Sequence, residues 1–264
     1  MVEKDSVYAE NLVREKKAFS LKVFEQLGYT DHSYTFAHWF FGRVLGLISI
    51  CAFLSYWIQA DALIGADGIS PWNEDLYEIE QIAEQNPDLS KYSLRPTLLW
   101  FSIPGGHTTL FIIGSLSSFA LTLGWVPLVS GIFSYVTYLS LMVVGEPFLS
   151  FQWDILLVES LLLSLPFLPM VHFHSLGSKV YFSHWSRILL IALLAKLMFE
   201  SGIVKFTSFA GDGTNTWREL TALEYHYWTQ PLPHGLSRWI HSLPSWFDSL
   251  SLYSMYVIEL VLPL

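Results

Sequence analysis

The 264-residue chain has one cysteine, Cys51, so no disulfide forms within it and the redox compartment stays open. Charge is scarce: Asp, Glu, Lys and Arg make up 14%, against about 25% in soluble proteins. The balance of −9 argues against a nucleic-acid partner. No Asn-x-Ser/Thr acceptor is present, so glycosylation marks no side of a membrane. The first 35 residues mix acids and bases and lack the early apolar core of a signal peptide. There is no G-x-S-x-G elbow, no phosphate loop and no H-E-x-x-H, so no cofactor is implied. No period of 20–50 residues repeats, which excludes a solenoid.

What is abundant is apolar. Hydrophobic residues reach 52% and aromatics 16%. They fall in blocks of roughly 18–24 residues, the length of a bilayer crossing. The reading is an all-α, polytopic transmembrane helical bundle of five or six spans, over about 37–60, 107–125, 126–144, 153–170, 185–204 and 247–264. Residues 1–36 form a polar N-terminal segment. Val13, Phe19, Val23, Phe24 and Leu27 give it an amphipathic pattern suited to the membrane surface or to a frayed tail. Residues 37–264 form the membrane domain. Its first loop, 61–106, is rich in acids that read as a solvated face. Gly124 to Pro127 joins the second and third spans as a tight hairpin, with Ser115, Ser117, Ser118, Ser130, Ser134 and Thr137 to pack and hydrogen-bond across it. Pro166 and Pro169 interrupt the fourth segment, which either crosses with a kink or re-enters. Lys and Arg weakly favour a cytosolic N-terminus.

Two sets of side chains invite chemistry. Arg43, Asp154, Glu159, Lys196 and Glu200 are charges within the spans, with Glu259 in the last. Groups this costly in lipid are expected to pair, Arg43 or Lys196 against Asp154 or Glu159, and Lys196 with Glu200 four residues on. The second set lies beside the fifth span: Lys205, then Trp217, Arg218, Glu219, Glu224, His226, Gln230 and Pro231. Here the residues predict a helix from Trp217 to Tyr227 lying on the headgroups. If the protein is an enzyme, Lys205 and His226 are its base candidates; otherwise no catalytic residue is assigned. His172-x-His174 lacks a nearby Cys or carboxylate to complete a metal site, so no metal is expected.

Three segments carry a family resemblance: GEPFLSFQWDILLVES, GIVKF and TWRELTALEYHYWTQPLP. From about Ala37 to Leu264 the chain resembles the lipase maturation factor family. That resemblance implies a membrane-resident, chaperone-like assistant for folding and assembly of secreted lipases, in the endoplasmic reticulum membrane, or the cytoplasmic membrane of a bacterium. It implies membrane lipids and secreted lipase clients as partners. It also implies a cytosolic N-terminus, with the acidic loop and the TWRELTALEYHYWTQPLP loop luminal. The strongest matches are Asp154 and Glu159; Lys196 and Glu200 depart from the pattern. The family is distantly similar to vitamin K-dependent γ-carboxylase-like membrane enzymes, which leaves a membrane enzyme as one alternative and a structural subunit of a membrane complex as another. The apolar run from Leu250 to Leu264 is shorter than the roughly 20 residues of a full crossing, so the chain is expected to be the membrane half of a longer functional protein.

Overall fold

The computed structural model describes residues 29–31, 35–178, 181–208, 211, 213–229 and 234–264. The amphipathic pattern of residues 13–27 lies outside them. The chain divides into two compact units, Met1–Leu190 and Ile191–Leu264.

In the first unit, a short strand β1 (Tyr29–Asp31) is followed by α1 (Thr35–Ile64). The rest comprises α2 (Trp72–Gln85), α3 (Lys91–Leu94), a 3-10 turn at Leu98–Phe101, α4 (Gly106–Leu123), α5 (Pro127–Val144), α6 (Gln152–Ser164) and β2 (Tyr181–Ser183). Among the described residues the architecture is helical apart from the antiparallel β1–β2 ribbon, in which Tyr29 pairs with Ser183. Among the described residues three helices, α1, α4 and α5, are long and apolar enough to cross a membrane. The boundary between the units falls within α7 (His184–Thr207), and α8 (Ala222–Thr229), α9 (Gly235–His241) and α10 (Ser245–Tyr256) follow, ending in a π-helical turn at Val257–Val261.

Local chemistry sets the helix ends. Pro127 at the first position of α5 has no N–H to leave unsatisfied. Gly124 sits at φ 81°, the left-handed conformation that ends α4 cheaply only for glycine. The first helix runs four residues past the expected end at Ala60, to Ile64, carrying Asp61 outward.

The first unit is a stack in which α1 packs on α4, α4 on α5 and α5 on α6. Lipid tails are as apolar as leucine, so close packing and interhelical hydrogen bonds must hold such helices together. Both are visible. A Cβ on Gly46 would lie 2.6 Å from the backbone nitrogen of Thr122, so α1 and α4 approach at the level of their backbones. The Phe53 ring lies over Gly114 and meets Tyr138 edge-on, with centroids 5.2 Å apart. Phe111 stacks on Trp57 at 5.8 Å. Across the α4–α5 hairpin, the Ser134 hydroxyl lies 3.1 Å from that of Ser117 and 3.0 Å from that of Ser118.

The fourth apolar segment runs the length of α5. At its start Asp154 meets Tyr138, in the C-terminal half of α5. At its far end Leu168 packs on Gly131 near the start of α5. The chain then reaches the α4–α5 turn, where the Val126 amide donates to the His172 carbonyl and the His174 amide to the Gly124 carbonyl, both at 2.9 Å. Helix α6 covers 13 residues of this path, about 20 Å at 1.5 Å per residue.

Candidate functional site

Of the pairings open to Arg43, Lys196, Asp154 and Glu159, that of Arg43 with Asp154 does not form: the two lie in separate arrangements at opposite ends of the first unit. Near the α4–α5 turn, the Arg43 guanidinium donates to the carbonyls of Leu123 (3.2 Å) and His174, and lies 4.8 Å over the Trp39 ring. The reason is local: the C-terminal end of α4 presents carbonyls without intrahelical partners, which attract a cation. The ring nitrogen Nε2 of His38 lies 2.5 Å from the Phe167 carbonyl, and its ring is 5.0 Å from that of His174.

His174 is buried in its loop, whereas His172 is exposed, so the two do not converge on a metal. Among the described residues no group of three or more His, Cys, Asp or Glu side chains comes together. Burial, then the neighbouring His38 and Arg43, push the His174 imidazole down to about 4. Its ordinary value is 6.5, so between pH 6.5 and 4 the unfolded chain takes up a proton that the folded chain refuses. The associated stability is intact above pH 6.5 and lost as pH falls, by about 3 kcal/mol at most. Thermal unfolding in detergent between pH 7.5 and 4.5 checks this: His174→Phe should flatten the fall seen in the parent.

Toward the other end, Asp154 is buried and its Oδ1 accepts from the Tyr138 hydroxyl at 2.9 Å. Its Oδ2 and the Tyr56 hydroxyl are buried with no hydrogen-bond partner among the described residues. Glu159 is half-buried on α6. The first loop folds onto this end of the bundle. Arg95 pairs with Asp75 (3.1 Å) and with Glu146 of the GEPF turn (3.5 Å), while Trp72 donates to His107 at 3.1 Å. Part of the acidic loop is therefore ion-paired rather than simply solvated.

The second unit holds the other predicted set. The Lys205 ammonium donates to both oxygens of Glu259, at 2.7 and 2.8 Å, and lies 5.5 Å over the Trp217 ring. Trp217 in turn faces His226, with centroids 5.9 Å apart. Asn215 is buried and ties the loop to the end of α7, donating to the carbonyls of Lys205 (3.0 Å) and Phe206 (3.2 Å) and accepting from the Arg218 amide at 3.0 Å. The Arg218 side chain lies 5.1 Å over Phe206. Glu219, Glu224 and His226 are exposed, as are Lys196 and Glu200 on α7. Gln230 and Pro231 lie outside the described residues.

The predicted helix from Trp217 to Tyr227 is corrected: residues 217–220 form a turn and α8 begins at Ala222. Leu220 takes φ 63°, which a continuous right-handed helix does not admit. Lys205, Trp217 and His226 thus come together, but the ammonium is engaged by Glu259. The groove beside it, of about 550 Å³, is lined by Phe247, Met255, Ile258 and Glu259 among others; neither Lys205 nor His226 lines it.

Residues 36–264 match the model of the lipase maturation factor transmembrane domain. The chain belongs to the lipase maturation factor family. It is 37% identical over 228 residues to lipase maturation factor 2 of Xenopus tropicalis, covering 82% of this chain and 31% of that one. It is 28% identical over 229 residues to lipase maturation factor 1 of Homo sapiens, covering 84% and 39%. The chain thus spans about a third of the length of these relatives. No solved structure matches.

Within this member of the lipase maturation factor family, the buried Tyr56 hydroxyl, the Tyr138–Asp154 bond, the bonds of Asn215 and the pairing of Glu259 were not expected from the sequence. Tyr138 is 16 residues from Asp154, and Glu259 is 54 from Lys205. Such separations leave no periodic trace. Asn215, two residues past Gly213 in a turn, carried the one available signal, since asparagine in such a place commonly bonds nearby backbone.

Proposed function

We propose that this chain is the membrane-embedded part of a lipase maturation factor of the endoplasmic reticulum, crossing the bilayer five or six times and assisting secreted lipases to fold and assemble. The observation that carries it is the match of residues 36–264 to the family's transmembrane domain. The crossings are α1, α4, α5, the segment containing α6, and α7, with α10 and its π-turn as the sixth. The end-to-end run of residues 145–174 along α5 supports counting the fourth. With a cytosolic N-terminus, the acidic loop, the GEPF turn and residues 208–244 are luminal. The Arg95–Glu146 pair supports one side for the first two.

The intramembrane charges serve packing: Arg43 closes the end of α4, and Asp154 ties α6 to α5. Around Lys205, the pairing with Glu259 favours a braced luminal loop that meets a client over a presented base. Glycan acceptors introduced one at a time test the topology. Sites near Asp67 and Thr214 should be glycosylated and one near Gly177 should not. Crosslinking of the intact chain in secretory cells, followed by recovery under denaturing conditions, tests the client. A lipase should be enriched over other secreted proteins of similar abundance; equal recovery of all of them would exclude lipases as its specific clients.

A further inference from the structure

A cleft of about 510 Å³ opens in the first unit between α1, α5 and the start of α6. Tyr56, Gln59, Tyr138, Phe151, Trp153 and Asp154 line it. Two polar atoms at its wall are stranded: Asp154 Oδ2 and the Tyr56 hydroxyl, on residues 6% and 5% exposed. A buried oxygen without a partner costs free energy comparable to a lost hydrogen bond, so it points to something that binds there. Gly145 makes the space: a Cβ there would lie 2.6 Å from the Tyr56 hydroxyl. The mouth is aromatic. Phe151 and Trp153 stack at 4.8 Å and are 50% and 66% exposed.

A lone carboxylate oxygen facing rings of tyrosine and tryptophan suits an organic ammonium. Rings attract such a cation through their faces, and the carboxylate adds charge and an acceptor. A metal ion would need further ligands, which the described residues do not supply here. The position selects the source of the ammonium. Tyr56 and Gln59 lie toward the C-terminal end of α1, and an exposed tryptophan such as Trp153 is the kind of side chain favoured at headgroup level. Ile58 on α1 and Ile155 on α6 are also exposed, leaving apolar surface for acyl chains.

We propose that this cleft holds the ammonium headgroup of a membrane phospholipid, with Asp154 and Tyr56 facing the headgroup and Trp153 walling it. This needs only membrane insertion and is independent of lipase handling.

The test is native mass spectrometry of the intact chain in detergent, with equal amounts of short-chain phosphatidylethanolamine, phosphatidylcholine and phosphatidylglycerol, and free ethanolamine in a separate arm. The ethanolamine and choline lipids should be retained over phosphatidylglycerol. Asp154→Asn should reduce that preference about tenfold, the loss of one charge-assisted contact of about 1.4 kcal/mol. Trp153→Leu, at an exposed site where folding is not at stake, should weaken retention severalfold. Equal retention of all three lipids by the parent, or a preference untouched in both variants, would overturn the proposal and leave the cleft to water. Free ethanolamine retained as well as its lipid would overturn the lipid assignment.

Discussion

Gly114→Leu should prevent the bundle from closing. The Phe53 ring occupies the place of any side chain there: a Cβ on Gly114 would meet it at 2.3 Å. Phe53 is fully buried and itself wedged against Tyr138, so the ring has nowhere to move. Gly114→Ala should cost about 1–3 kcal/mol, the usual range for overpacking a filled core, and leucine more. Detergent thermal unfolding and size-exclusion chromatography check this, with the alanine variant lowered in transition temperature and the leucine variant aggregated. Phe53→Ala combined with Gly114→Ala should cost less than the sum of the two single changes, because the smaller side chain vacates the contested space. Gly211→Ala is the control, since a Cβ there meets nothing within 4 Å.

Glu259→Ala should clearly destabilise the second unit. Lys205 and Glu259 side chains are 25% and 19% exposed, and the carboxylate takes two bonds from one ammonium. Removing one partner of a fully buried pair costs about 3–5 kcal/mol; partial exposure here brings the expectation to about 2–3. Lys205→Ala should cost a similar amount, and the exchange of Lys205→Glu with Glu259→Lys should restore part of it. Because Lys205 also lies over Trp217, tryptophan fluorescence should shift in either single variant. Unchanged stability in both would mean that the pair is solvated and braces nothing.

The bundle was legible in the sequence because its signals are one-dimensional. The apolar blocks at 107–125 and 126–144 became Gly106–Leu123 and Pro127–Val144 because glycine and proline at 124 and 127 admit few alternatives. The serines facing across that hairpin were legible for the same reason. The partners of Arg43 and Asp154 were not. Sequence offers several acids to Arg43, but an arginine near a helix C-terminus finds carbonyls first, and Asp154 finds the phenol one packing layer away. The helix expected from Trp217 failed at Leu220, whose left-handed φ has no marker such as glycine or asparagine. The π-turn that carries Glu259 toward Lys205 has no sequence signature at all.

Rescue of lipase secretion by exchange tests whether this bundle serves lipase maturation. Residues 36–264 of this chain replace the matching transmembrane domain in a full-length lipase maturation factor, and the hybrid is expressed in cells lacking the endogenous protein. Secreted lipase activity per unit of lipase protein is compared with that given by the unaltered factor at equal expression. Substantial restoration by the hybrid is expected, with a clear loss when it carries Glu259→Ala. A hybrid that inserts in the endoplasmic reticulum at normal levels yet restores no lipase activity would contradict the claim that this bundle belongs to lipase maturation.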